Sequence, residues 1–155
     1  MAQTADLVAV QALLAAIGYA PATIAGIVGQ PTVCWIAAWI GGTIAGVIGF
    51  ETIVDAGVLC ALGVEPTKRR RGIGTALVDA ARKAARTRGV RRLYAIVPRE
   101  NAFLRRFGYE PVAEAAFTAD LAGSFVGDYL RSNCHELESF ECCYVDISGD
   151  GVIPR

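Results

Sequence analysis

The sequence predicts an α/β protein, a mixed sheet with helices packed against it, in one domain over residues 1–155. Three observations lead there. Stretches of helical period alternate with β-rich apolar runs in the order α, α, β, β, β, α, β, α, β, followed by a tail. The clearest helix lies between two apolar runs, a βαβ unit that brings parallel strands together. And 155 residues suffice to bury a sizeable core in a single domain.

Asp6–Ile17 reads as the first helix, with Leu7, Val10, Leu13, Leu14 and Ile17 on one face. Gly18 ends it, Pro21 follows, and a short second helix fits Ala22–Val28. Two β-rich runs, Val33–Ile40 and Thr43–Ile53, flank Gly41-Gly42, which reads as a hairpin turn. Ala56–Val64 is almost continuously apolar and is bounded by Pro66, as a strand buried on both faces requires. Thr75–Arg88 carries Leu77, Val78, Ala81, Ala84 and Ala85 at helical spacing, with Asp79, Arg82, Lys83 and Arg86 opposite. Gly89 suits the end of that helix. Arg92–Val97 is a strand closed by Pro98, parallel to Ala56–Val64. Asn101–Phe107 reads as a short helix stopped by Gly108. Tyr109–Phe117 and Phe140–Ile147 read as strands, with a helix over Ser124–Asn133 between them.

The net charge is zero, but the charges are segregated. Of 15 Lys and Arg, 13 lie between Lys68 and Arg106, opposed there only by Asp79 and Glu100. Such a basic middle is expected to meet an anion. Between Asp6 and Glu51 there is no charged residue. That stretch holds "TVCWIAAWIGGTIAGVIGF", apolar enough to raise a membrane helix, with Gly42 and Gly46 spaced as GxxxG. The central Gly41-Gly42 and the absence of flanking Lys or Arg favour the hairpin, so no membrane partner is expected. The start, "MAQTADL", lacks the basic region of a signal peptide. Five cysteines, an odd number without framework spacing, suggest reduced thiols. A cytoplasmic protein is expected.

The stretch "VEPTKRRRGIGTALV" carries the chemistry. A glycine loop opening a helix turns unpaired N–H groups toward one spot, and the helix dipole adds positive potential. Glycine lets a ligand approach the backbone, and the cations ahead of it add charge-assisted hydrogen bonds. The ligand this suits is a phosphate or pyrophosphate. The Gly-Lys-Ser/Thr ending of a P-loop is missing, and Leu77 stands where G-x-G-x-x-G needs its third glycine. Taken alone, a solvated basic turn is the plain alternative.

The wider stretch, "LGVEPTKRRRGIGTALVDAARKAARTRGVRRLYAIV", resembles the acetyl-CoA-binding core of the GNAT family of N-acetyltransferases. Leu62-Gly63-Val64-Glu65-Pro66 matches that family's hydrophobic-x-Val-x-Pro strand end. Arg69 to Gly74 matches its Arg/Gln-x-x-Gly-x-Gly/Ala loop, and "FLRRFGYEPV" resembles its next segment. The resemblance covers Leu62–Val112 and extends more loosely over Asp6–Glu51. Within the family, "GFE … LCALGVEP" looks like small arsenic-resistance acetyltransferases and short amino-acid N-acetyltransferases.

The resemblance implies a mixed sheet with helices on both faces, and acetyl-CoA as co-substrate. It implies that the N–H groups of Arg69, Arg70, Arg71, Gly72, Ile73, Gly74 and Thr75 hold the pyrophosphate. Backbone groups of Leu62 and Val64 would pair with the pantetheine arm, slotted between Ala56–Val64 and Arg92–Val97. The Leu62 N–H would polarise the acetyl carbonyl. Lys68, Arg70 and Arg71 would meet the 3′-phosphate, and Asn101 would touch pantetheine. The acetyl group would pass directly to the amine of a small molecule, an amino acid or amino-acid-like compound. Because an ammonium cannot attack, a base is needed, and Glu51 at the end of "GFE" is the candidate, with Glu65 second.

Leu104 occupies the position where the family often has a tyrosine acid. This motivates an alternative, a catalytically silent acyl-CoA-binding or regulatory protein of the same fold. A nucleic-acid binder is disfavoured, because the aromatics form no stacking platform and the cations sit on loop and helix. In the tail, Cys134, His135, Cys142 and Cys143 fit no standard zinc spacing, so no metal is expected. The apolar first third and the last strand are the surfaces a homodimer would use.

Overall fold

Gly41 and Gly42 fold the apolar first third back on itself. The computed structural model describes residues 4–99, 102–133 and 140–149. Strand β1, Val33–Ile40, runs antiparallel to β2, Thr43–Ile53, from the pair Val33↔Glu51 to Ile40↔Thr43. Both turn residues have positive φ, +58° and +80°, the combination a two-residue hairpin needs to match strand twist. The apolar run is therefore this hairpin. No helix among the described residues is long and apolar enough to cross a membrane.

The chain divides into two compact units, Met1–Glu51 with Cys60–Ala84, and Thr52–Leu59 with Ala85–Arg155. The first contains helix α1 (Thr4–Ala16), helix α2 (Pro21–Ile27), β1 and the body of β2. It also contains the end of strand β3 (Ala56–Val64), the basic loop, and most of helix α3 (Ile73–Thr87). Its core includes Val10, Leu14, Ile27, Val47, Ile48 and Phe50, all fully buried. Helix α3 buries Leu77, Val78, Ala81 and Ala85, as its spacing requires. It starts two residues earlier than the periodicity alone suggested, at Ile73.

In the second unit, strand β4 (Arg92–Pro98) runs parallel to the start of β3, with Ala56↔Arg92, Gly57↔Leu93 and Val58↔Tyr94 as partners. On its other side β4 pairs antiparallel with strand β6 (Phe140–Asp146) over its whole length. A two-residue strand β5, Glu110–Pro111, pairs with β6 and gives the six-stranded order β1-β2-β3-β4-β6-β5.

The sequence reading fails at two places here. The strand expected over Tyr109–Phe117 stops at Pro111, and helix α4 begins at Glu114 and runs to Asp120. Pro111 has no N–H to continue a ladder, and the Glu-Ala-Ala that follows favours helix. Phe117 is buried from α4 and meets the Tyr94 ring edge-on at 5.7 Å. The short helix expected over Asn101–Phe107 is a single 3₁₀ turn, Leu104–Phe107, capped by Gly108 at φ +85°. Helix α5 occupies Phe125–Asn133, close to the expected span.

Candidate functional site

Strand β3 ends at Val64, and the chain then turns sharply. The Glu65 N–H donates to the Ala45 carbonyl at 2.8 Å, which ties the turn to β2. Pro66–Lys68 forms a 3₁₀ turn, inside which the Thr67 hydroxyl donates to the Glu65 carboxylate. That hydrogen bond, with help from Lys68 and Arg69, holds the Glu65 carboxyl below the usual carboxylate range. Two of the loop's cations brace the same turn. Lys68 Nζ donates to Thr43 Oγ1 at 3.0 Å, and Arg69 Nε donates to the Val64 carbonyl at 3.0 Å.

Arg70 and Gly72 both adopt left-handed backbone, φ +62° and +79°, immediately before α3. Left-handed residues alternating with ordinary ones turn successive N–H groups toward one concave face, an anion-binding arrangement. The Ala76 N–H makes the first helical bond, to the Gly72 carbonyl at 3.0 Å. The amides of Ile73, Gly74 and Thr75 thus belong to the first turn, where a helix offers them no internal acceptor. Arg70, Arg71 and Gly72 are exposed. A Cβ on Gly72 would meet nothing within 4 Å, so glycine is favoured there by φ and not by lack of space. The donor set fits a diphosphate. The Arg69 amide differs from its neighbours, since it donates back to the Pro66 carbonyl at 3.5 Å.

Upstream, the Leu62 backbone meets a partner the sequence did not disclose. Its N–H donates to the Tyr19 hydroxyl, which in turn donates to the Leu62 carbonyl, both at 3.4 Å. Burial, the largest influence on it, raises the Tyr19 hydroxyl above the ordinary phenol range. Tyr19 lies just after α1, in "IGYAP", where turn chemistry was the only signal. Nothing in its spacing pairs it with a residue 43 positions on.

Glu51 is 1% exposed near the end of β2, and it accepts a hydrogen bond from the Thr32 hydroxyl. Its charge reaches Cys60, whose thiol is raised first by burial and further by that carboxylate. Cys60 precedes Leu62 by two residues, so Glu51 stands beside the strand that carries the loop. Thr32 was not anticipated as a partner. Leu104 is buried in its 3₁₀ turn. Asn101, Cys134 and His135 lie outside the described residues. Cys142 and Cys143 are buried on β6 as reduced thiols, and Cys143 Sγ donates to the Ala95 carbonyl at 3.6 Å. Burial, aided by Glu141, pushes the Cys143 thiol up to about 12.

The second unit has a cleft of about 520 Å³ lined by Asp55, Arg91, Arg92, Tyr94, Tyr144 and Asp146. Arg92 pairs with Asp120 at 3.0 Å, Tyr94 donates to the same carboxylate, and the Tyr94 and Tyr144 rings stack at 5.9 Å.

The signature of the acetyltransferase (GNAT) family matches residues 14–109, from α1 through the loop and α3 to the turn after Gly108. The chain belongs to the GNAT acetyltransferase family. Acetyl-CoA is the co-substrate of that family. No curated protein sequence matches this one. Solved structures share the GNAT fold at low identity. The ribosomal-protein-S18-alanine N-acetyltransferase of Escherichia coli superposes with a TM-score of 0.71 at 18% identity, covering 96% of this chain and 92% of that one. N-acetylglutamate synthase of Neisseria gonorrhoeae, solved with coenzyme A and N-acetyl-glutamate, gives 0.71 at 19% identity over 94% of this chain. This chain spans only 34% of that enzyme's length. The PaiA N-acetyltransferase of Thermoplasma acidophilum, solved with coenzyme A, gives 0.62 at 14% identity, covering 92% of this chain and 93% of that one.

Proposed function

We propose that this GNAT member transfers the acetyl group of acetyl-CoA to the amine of a small molecule, an amino acid or amino-acid-like compound, in a ternary complex. The observation that supports this reading is the left-handed basic loop between β3 and α3, which leads into the first-turn amides of α3. In this reading the amides from Arg70 to Thr75 hold the pyrophosphate, with Ile73, Gly74 and Thr75 contributing the helix end, while the Arg69 amide stays on the Pro66 carbonyl. Arg70 and Arg71 meet the 3′-phosphate; Lys68 and Arg69 fix the loop's shape. Leu62 and Val64 present backbone groups to the pantetheine arm, with Asn101 an additional contact. The Leu62 N–H polarises the acetyl carbonyl.

Glu51 takes the proton that the acceptor ammonium must lose, directly or through water. The amine nitrogen then bonds to the acetyl carbon, the C–S bond breaks, and the thiolate takes a proton from water. The small-amine acceptor is supported by the Neisseria relative, whose structure holds N-acetyl-glutamate. Cys34, Cys60, Cys142 and Cys143, buried as reduced thiols, support a cytoplasmic setting. A second reading, a catalytically silent acyl-CoA-binding protein, is favoured by one observation: Leu104, buried and without a hydroxyl, holds the usual tyrosine position.

Isothermal titration of acetyl-CoA and dephospho-coenzyme A tests the donor half of this reading. Micromolar acetyl-CoA binding is expected, weaker without the 3′-phosphate and abolished by Gly72→Glu. An amine screen for thiol release, with Glu51→Gln as control, follows. Absence of acetyl-CoA binding would sink the reading; binding without thiol release from any amine would favour the silent alternative.

A further inference from the structure

The acetyl-CoA reading leaves Tyr19 unused, although its hydroxyl stands against both polar groups of Leu62. Within one strand residue the N–H and C=O face the same neighbour, so the phenol holds the place of a ladder partner or an extended ligand arm. At 3.4 Å both contacts are long beside the preferred separation of about 2.9 Å, so a better acceptor can displace the hydroxyl from the Leu62 N–H.

The local chain fixes where the phenol stands. The Tyr19 amide donates to the Leu14 carbonyl at 3.0 Å, which holds it to the last turn of α1. Two residues earlier, Ile17 lies on the backbone of β3: a Cβ added to Gly63 would fall 2.0 Å from Ile17 Cδ1. Only glycine at 63 lets the end of α1 come this close, and Tyr19 is thereby delivered to the next peptide along. The raised phenol remains protonated throughout the neutral range, so it is always a donor.

We propose that Tyr19 is a second hydrogen-bond donor to the carbonyl oxygen of bound acetyl-CoA, acting beside the Leu62 N–H. The inference rests on the acetyl-CoA reading above. An oxygen that accepts from the Leu62 N–H lies close to a nitrogen from which the phenol oxygen is already only 3.4 Å away. Turning the O–H from the Leu62 carbonyl to that oxygen brings two neutral donors onto one atom. Fixed donors of this kind stabilise the charge that grows on the oxygen more than they stabilise the resting thioester. No proton leaves the phenol, so Tyr19 does not replace the acid that Leu104 lacks.

The test uses acetyl-CoA labelled with carbon-13 at the acetyl carbonyl. Its stretching band is recorded by difference infrared spectroscopy on wild type and Tyr19→Phe, with titration calorimetry on both. The band should lie below that of free acetyl-CoA in wild type and move back upward in Tyr19→Phe, with affinity changed only a few-fold. Replacing Tyr19 by difluorotyrosine, a stronger donor of nearly the same shape, should move the band further down. This keeps the test decisive if Tyr19→Phe folds poorly. Once an acceptor is known, Tyr19→Phe should lower kcat by about 10²-fold and leave KM for acetyl-CoA nearly unchanged. Acetyl-CoA bound with an unmoved band would overturn the Tyr19 role alone and leave the donor site standing; a purely structural Tyr19 would give that result. Failure of wild type to bind would remove both.

Discussion

Gly72→Ala probes the loop without adding charge or bulk. The new Cβ meets nothing within 4 Å, so the whole effect comes from the backbone. At φ +79° an L-residue costs about 1–2 kcal/mol. That strain can appear in two places. If the loop keeps its shape, the folded state carries the strain, Tm falls by about 2–8 °C, and acetyl-CoA affinity is unchanged. If the loop relaxes, Tm holds and the strain is restored on binding, so Kd rises about 5- to 30-fold. Between these limits the two free-energy changes sum to the same 1–2 kcal/mol or so. Gly123, at φ +88° and also with open space around it, provides the control. Gly123→Ala should lower Tm by a similar amount and leave Kd alone. Scanning calorimetry and titration calorimetry on the two variants read both quantities. An unchanged Tm together with an unchanged Kd in Gly72→Ala would refute the reasoning, as would a Gly123→Ala variant that weakens acetyl-CoA equally.

Gly49→Ala should be more damaging to stability, because its Cβ would lie 2.7 Å from both Cys60 Sγ and Trp35 Cζ3. Overpacking of this kind costs about 1–3 kcal/mol, and Cys60→Ala should restore only part of it, since the rigid indole remains; denaturant midpoints of the single and double variants check this. Thr32→Val removes a hydroxyl donor from the buried Glu51 carboxylate and should cost about 1–3 kcal/mol by the same measurement. Glu51→Gln should leave acetyl-CoA binding intact and lower kcat by about 10²–10⁴-fold, read by thiol release. Burial raises the Cys60 and Cys143 thiols, so at pH 8 both stay protonated in the folded chain, and iodoacetamide mapped by mass spectrometry should label them only after unfolding. The sign follows from the raised folded values: this stability is complete below the unfolded thiol range near pH 8.5 and declines as pH rises through about 9 to 12.

The strands of the first unit were legible because nothing competed with their pattern. Val33–Ile40 and Thr43–Ile53 match the expected bounds, fixed by a glycine pair that only a tight hairpin uses. Ala56–Val64 also matches, because a run buried on both faces needs no alternation to be recognised. The error after Tyr109 came from reading Val112 and Phe117 as one apolar run, while Pro111 and the alanines between them encode a strand end and a helix. The left-handed glycine loop ahead of α3 was readable because its signals are local: glycine, cations and a helix start lie within a few residues. Tyr19 and Thr32 were not readable, because each acts through a partner brought close only by the tertiary fold. Leu62 lies 43 positions from Tyr19, and Glu51 lies 19 from Thr32.

The bracing of Lys68 on Thr43 and of Arg69 on Val64 has a kinetic consequence. A cradle whose shape is set before its ligand arrives has little chain entropy left to lose, so capture is governed by encounter and not by loop ordering. Thr43 and the Val64 carbonyl are neutral, so Lys68 and Arg69 keep their charge and, in the proposed function, pull on an arriving polyanion together with Arg70 and Arg71. Acetyl-CoA association should therefore be a single fast phase that slows as ionic strength rises.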